Sequence, residues 1–223
     1  MEKDLLLVLE DVNKKINKFY AGKKKDNFNK QIESLKKEYN SLEIPERHIE
    51  TYESLVSKGK ELLKESNIKD EKKVIYYLRY CGAAEYDFRD NIKPLNTIMK
   101  SYLLTCTLFF VLAPQYLGMV MPLIFVIPIY MGLRGMRKRV LNGLMIGIAI
   151  VPMGILAGTI WLRNAYLSRG NFDALISNIA QQYNLPMDIT HNLAIVCIVM
   201  SAVLIGSSIT LFVSAIKHRK MFI

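Results

Sequence analysis

Residues 102–133 read YLLTCTLFFVLAPQYLGMVMPLIFVIPIYMGL, a run whose only ionisable side chains are tyrosine and cysteine. Whether it crosses a bilayer once or twice decides the fold. As one straight helix its 32 residues would extend about 48 Å, and fitting that into a hydrocarbon layer of roughly 30 Å demands a tilt beyond the usual range. Two shorter passes fit better. Ile98, Met99 and a snorkelling Lys100 lengthen the first to residues 98–113. Ala113-Pro114-Gln115 then supplies a turn, because proline disfavours helix in the residue before it, and 117–133 returns. A kinked single span or a re-entrant loop is the alternative.

The flanking sequence favours the double pass. Val140–Leu162 and Leu193–Ile216 are uncharged runs of 23 and 24 residues, each long enough for one membrane helix. Arg134, Arg137, Lys138 and Arg139 precede the first, and Lys217, Arg219 and Lys220 follow the second. The positive-inside bias puts both clusters in the cytoplasm and the link 163–192 outside. The apolar stretch Leu5–Leu9 is too short for a secretory signal and follows acidic residues, so the leading segment is expected to remain cytoplasmic. An even number of crossings must then separate it from Arg134.

Charge divides the chain at the same place. Residues 1–100 carry 21 Lys plus Arg and 18 Asp plus Glu, against nine and two in residues 101–223. The fold class expected is all-α: a cytoplasmic helical hairpin or bundle over 1–93, then a membrane domain over 94–223 with spans at 98–113, 117–133, 140–162 and 193–216. Both termini are expected in the cytoplasm and the protein in a plasma membrane, as a multi-pass chain.

Within 1–93 the periodicity is helical. Leu5, Leu9, Val12, Ile16 and Phe19 repeat every three or four residues; so do Phe28, Ile32, Leu35, Tyr39 and Leu42, and then Ile49, Tyr52, Val56, Gly59 and Leu63. Breaks are expected at Ala21–Asn27 and Asn40–Pro45. A fourth helix, Asp70–Asn91, should turn Val74, Tyr77, Leu78, Cys81 and Phe88 inward. Its aromatic cluster of Tyr76, Tyr77, Tyr80, Tyr86 and Phe88 reads as core or a packing shoulder rather than a ligand box. Lys14, Lys15, Lys18, Lys23, Lys24 and Lys25 follow the first apolar face and offer contact with an anionic membrane surface, although Glu10 and Asp11 dilute them.

Small residues organise the apolar half. Gly143, Gly147, Gly154 and Gly158 form two GxxxG units within one narrow wedge of a helix, the pattern that lets another helix approach closely in lipid. Ala194, Ser201, Ser208 and Ala215 recur every seven residues and read as the complementary surface. Such faces serve helix packing inside one chain or self-association. A short amphipathic helix capped by Asn171 and presenting Phe172, Leu175, Ile176, Ile179 and Tyr183 is expected in the external link.

No Asp, Glu, Lys, Arg or His lies within the three apolar runs, which disfavours proton relays, ion-coupled transport and intramembrane hydrolysis. Glu43, Glu46, Glu50 and Glu53 beside His48 read as a solvated acidic stripe rather than a metal patch. The lone cysteines Cys81, Cys106 and Cys197 read as reduced thiols. Most of the net charge of +10 is explained by span-flanking cations, so nucleic acid is not an expected partner. Neither catalytic residues, nor a cofactor, nor a metal is expected. The sequence favours a non-enzymatic membrane protein whose cytoplasmic helical module is an interaction or regulatory platform on a helical anchor. Its expected partners are the lipid bilayer, another copy of the chain, and a cytoplasmic or membrane protein. The alternative is a small homo-oligomeric channel or transporter subunit.

Overall fold

A computed structural model describes residues 2–118 and 120–223, with side-chain placement for all of these except Glu2, Lys3, Leu117, Met121, Leu175 and Tyr183. The described residues are helical and contain no strand. They divide into two compact units, Met1–Pro94 with His218–Ile223, and Leu95–Lys217.

The first unit is built from α1 (Glu2–Phe19), α2 (Gly22–Asn40), α3 (Ile49–Leu62), α4 (Glu65–Ile68) and α5 (Glu71–Phe88). The expected stripes become its core: Leu5, Leu9, Val12 and Ile16 of α1 meet Phe28, Ile32, Leu35 and Tyr39 of α2 and Val74, Tyr77, Leu78, Cys81 and Phe88 of α5. Each fully buried aliphatic side chain contributes about 1.5–3 kcal/mol relative to exposure. In α3 the buried set is Tyr52, Leu55, Gly59 and Leu62; Val56 and Leu63, expected inside, are partly buried at its margin. Gly59 is required there, because a Cβ would strike the Tyr77 ring and Val8.

Local chemistry sets the boundaries. The break after α1 is shorter than expected, since Gly22 at φ +59° reverses the chain and the lysine triplet lies inside α2. Asp70 caps α5, its carboxylate accepting from the Lys72 amide at 3.0 Å. The Leu5 amide at the open start of α1 donates to the Tyr52 hydroxyl at 3.0 Å, and Tyr39 donates to the Cys81 carbonyl at 2.7 Å. These bonds satisfy buried polar groups that would otherwise cost about 1–3 kcal/mol each.

The second unit comprises α6 (Lys93–Leu112), α7 (Pro114–Leu117), α8 (Val120–Ile124), α9 (Val126–Arg137), α10 (Leu141–Ile148), α11 (Ile150–Leu167), α12 (Phe172–Tyr183) and α13 (Met187–Lys217). Three stretches among the described residues are long and apolar enough to cross a membrane: Lys93–Tyr116, Leu141–Gly170 and Met187–Lys217. The expected fourth span, 117–133, is not such a helix. It is divided between α7, α8 and α9.

Proline explains these interruptions. Pro128 has no N–H to offer the carbonyl of Ile124, and α8 ends at Ile124; Pro152 stands in the same relation to Ile148, where α10 ends. The turn expected at Ala113-Pro114-Gln115 is displaced. Ala113 keeps helical angles of φ −70° and ψ −35°, Pro114 occupies the first position of α7, and the chain departs from helix at Gly118, φ +69°. Proline's bias against helix in the preceding residue is outweighed here, and glycine carries the bend.

Contacts give the running directions within this unit. Phe109 meets Phe125 with ring centroids 5.5 Å apart, while Tyr102 donates to the Ile129 carbonyl at 2.9 Å, so the segment through α8 and α9 runs antiparallel to α6. Gly132 faces Gly147 and Gly135 faces Gly143, making α9 and α10 antiparallel. Tyr102 lies beside Gly147, Thr105 beside Gly154, and Trp161 donates to the Leu112 carbonyl at 3.2 Å, so α6 and the α10–α11 run are parallel. Gly154 faces Ser208 and Gly158 faces Ser201, so α13 runs opposite to α11. The four runs alternate in direction; the second is divided between α8 and α9 and the third between α10 and α11.

Candidate functional site

The small-residue seams are the first candidate. Gly143 lies so close to Gly135 that a Cβ on either would enter the other's backbone. A Cβ on Gly147 would come within 2.9 Å of the Met136 methyl; one on Gly154 would meet Ser208 Oγ at 2.6 Å, and one on Gly158 the Ser201 carbonyl at 2.9 Å. All four glycines singled out in the sequence therefore face helices of the same unit. Ser201 and Ser208 are fully buried against them. Close backbone approach is the packing mode that small residues permit in lipid.

Sequence reasoning missed the other halves of these seams. Gly132 and Gly135 sit in α9 three residues apart, and Thr105 donates to Ser207 Oγ at 2.9 Å with both groups buried. A signal was present: Gly135 and Gly143 flank the turn at Arg139 symmetrically and Gly132 and Gly147 nearly so, the arrangement that an antiparallel hairpin with glycine contacts requires. Asn171 precedes α12 as expected, without a side-chain capping bond.

The second candidate lies in the first unit, where His218–Ile223 packs on α2 and α5. Met221 and Phe222 are fully buried. Lys220 Nζ donates to Ser34 Oγ at 3.1 Å and to Glu38 Oε1 at 3.3 Å, and Ser34 donates to the same Glu38 oxygen at 3.0 Å. His218 Nδ1 lies 3.4 Å from the Tyr86 hydroxyl, its ring edge-on to the tyrosine. Gly82 lies under the Lys220 carbonyl, where a Cβ would stand at 3.6 Å. Lys220 and Arg219, expected only to set orientation, thus belong to a folded segment. Arg134 and Arg137 end α9, Lys138 and Arg139 form the turn with Arg139 at φ +53°, and Lys217 ends α13.

Beneath Lys220 two carboxyls meet. Burial raises Glu85 to about 7, helped by its hydrogen bond with Glu38 and by that neighbour's charge, while Arg89 and Lys220 oppose the shift. Glu38 is held below the usual carboxylate value: burial works against it, but the bonds from Glu85 and Ser34 and the Lys220 ammonium outweigh burial. Arg89 Nε lies 2.9 Å from Glu85 Oε1. Glu38, Glu85, Lys220 and Arg89 thus form one mixed-charge cluster where residues 218–223 meet α2 and α5. The nearby Cys81 thiol is pushed up to about 12 by burial, so it is neither a nucleophile nor a ready metal ligand.

The lysines proposed for membrane contact are dispersed. Lys14 pairs with Asp11 at 3.4 Å, Lys15 donates to the Leu63 carbonyl, Lys18 lies 5.7 Å from the Phe19 ring, and Lys24 meets Glu71 at 2.7 Å. Lys23 and Lys25 extend along the first turn of α2. Leu5, Leu9, Val12 and Ile16 of α1 are turned into the core, while Leu7 on the same helix is exposed. His48 meets Asp90 at 3.9 Å and the Phe88 ring at 5.8 Å. Among the described residues no three His, Cys, Asp or Glu side chains converge to hold a metal. No family model matches the chain, and neither curated proteins nor solved structures give a match.

Proposed function

We propose that this chain is a non-enzymatic integral membrane protein in which a cytoplasmic helical module serves as an interaction or regulatory platform on a four-crossing anchor. The observation that carries the reading is the membership of residues 218–223 in the same folded unit as residues 2–94. The apolar unit is bracketed in sequence by two segments that pack together, which supports a chain that leaves and returns on one side of a bilayer and so an even number of crossings. Three long apolar helices alone would be odd. The α8–α9 segment, running antiparallel to α6 and to α10, supplies the fourth pass, with the break between α8 and α9 covered by Phe109 of α6 against Phe125.

The basic residues agree with that course. Arg134, Arg137, Lys138 and Arg139 follow the second pass and Lys217 the fourth, which the positive-inside bias assigns to the side that holds the helical module. This supports cytoplasmic placement of residues 2–94 and 218–223, and the plasma membrane is the membrane we propose. The seams support an anchor more than a pore: glycine backbones touch across them, and the Thr105 and Ser207 hydroxyls bond to one another instead of lining a path.

Reconstitution separates this reading from a channel. The full-length protein in liposomes should carry no ion or small-solute flux above empty vesicles. Affinity capture in mild detergent should retain a protein partner, and that capture should be lost when exposed charges of the helical module are altered. Conductance that disappears on Ser208→Leu would overturn the proposal in favour of the channel.

A further inference from the structure

The first unit also holds a concavity of about 470 Å³ between α3, α4 and α5, within the range of small-molecule sites. Its wall is aromatic and its rim is basic. Tyr76 and Tyr80 stand one helical turn apart on α5 with rings nearly parallel, 12° between planes and 6.4 Å between centroids. Tyr76 is 54% exposed, an unusual position for an aromatic ring that contributes nothing to the core. Lys58 reaches over from α3 with Nζ 3.9 Å from the Tyr80 centroid.

Lys72 and Lys73 enter the same concavity from the first turn of α5, and Lys73 Nζ is held by Asn67 Oδ1 at 2.8 Å. Against these three ammonium groups stands one carboxylate, Glu61. The start of α5 is already capped by Asp70, which accepts from the Lys72 amide at 3.0 Å, so the positive charge at this end of the cavity comes from the lysine ammonium groups. The Lys72 and Lys73 ammonium groups beside the exposed Tyr76 ring match a ligand with a phosphate at one end and a planar aromatic body at the other.

We propose that this concavity binds a mononucleotide, the phosphate held by Lys72 and Lys73 and the base stacked on Tyr76. The site does not depend on what the apolar unit does. It fits a module that senses a soluble metabolite, and it gives function to Tyr76, which the packing of α5 leaves exposed.

The test is binding of adenosine 5′-monophosphate to the full-length protein in detergent, by equilibrium dialysis, beside adenosine, ribose 5-phosphate, inorganic phosphate and vesicles containing phosphatidic acid. Saturable binding of the whole nucleotide should be at least tenfold tighter than either half. Tyr76→Ala should weaken it about tenfold, as loss of a stacking platform does, while Tyr76→Phe retains it. Lys72→Gln with Lys73→Gln should weaken the nucleotide and leave adenosine unchanged. All these positions border solvent, so unchanged thermal melting separates lost binding from lost folding. No saturable binding at millimolar nucleotide would overturn the proposal. So would undiminished binding by Tyr76→Ala, or inorganic phosphate or the acidic vesicles competing as well as the nucleotide does.

Discussion

Lys220 Nζ stands 3.3 Å from Glu38 Oε1, an ion pair between residues 182 positions apart in sequence. Nearly all of the apolar half of the chain lies between them. An exposed ion pair contributes little by itself, on the order of 0–1 kcal/mol. Its meaning here is positional, because the same six-residue segment buries Met221 and Phe222. Those two apolar side chains supply most of the attachment.

Removing that attachment should therefore cost more than removing the charge. Phe222→Ala is expected to destabilise the first unit by about 3–5 kcal/mol, the usual consequence of emptying a fully buried aromatic site, whereas Lys220→Met should change stability by less than about 1 kcal/mol. Hydrogen exchange of α2 and α5 in the full-length protein would report both. Equal effects would show that the pairing, not the burial, fastens the segment.

The carboxyl pair makes stability depend on pH in a definite direction. Glu85 has a folded value of about 7 against an ordinary 4.5, so between these values the folded unit holds a proton that the unfolded chain releases. Its contribution is complete below the unfolded value and is lost as pH rises through about 7. Glu38, shifted downward, contributes above its unfolded value and loses that contribution in acid. The denaturation midpoint of the first unit should peak at mildly acidic pH and fall toward pH 8.5, the conditions chosen here to exceed the Glu85 value. Glu85→Gln should remove the alkaline fall and leave the acid limb.

The glycine seams differ sharply in tolerance. Gly143→Leu places a side chain into the backbone of α9 at Gly135, where no rotamer change relieves it. A loss of at least 1–3 kcal/mol, roughly the cost of overpacking, should appear as a lower melting temperature in detergent. Gly206 sits on the same helix as Ser208 with nothing within 4 Å of its absent Cβ, so Gly206→Leu should melt as the parent does.

Thr105→Val tests the buried hydroxyl pair without changing side-chain volume much. Ser207 keeps its own bond to the Leu204 carbonyl at 3.0 Å, so the expected loss is only about 1 kcal/mol. If hydroxyls 105 and 207 lined a conducting path, the same substitution would instead change flux in liposomes.

The all-helical class and most of the first core were legible because α-helical periodicity is written in residues such as Leu5, Leu9, Val12 and Ile16, and burial follows that face directly. Span existence was legible from uninterrupted apolar length. Helix continuity through 117–133 was harder, since it depends on whether the carbonyl four residues before each proline finds another donor, a tertiary matter. The turn moved from Pro114 to Gly118 for a related reason: a mild steric bias at Ala113 yielded to packing.

Of the candidate sites, the glycines declared themselves but their partners did not, because Gly132 and Gly135 carry no heptad pattern of their own. The docking of Met221 and Phe222 was hidden behind the basic cluster Lys217–Lys220, whose composition resembles an ordinary cytoplasmic flank. Glu38 and Glu85 were likewise hidden among many surface carboxylates. Only the fold tells which two meet.

The central claim is an even number of crossings between Pro94 and His218, with an out-and-back excursion through Gly118. It is tested most directly by impermeant thiol labelling of intact cells, in a chain whose Cys81, Cys106 and Cys197 have been replaced. Single cysteines would be placed by Lys24→Cys, Gln115→Cys, Lys138→Cys and Asn171→Cys. The account predicts that positions 115 and 171 react from outside and that positions 24 and 138 react only after permeabilisation. External reaction at 138, or protection of 115 together with 24, would contradict it.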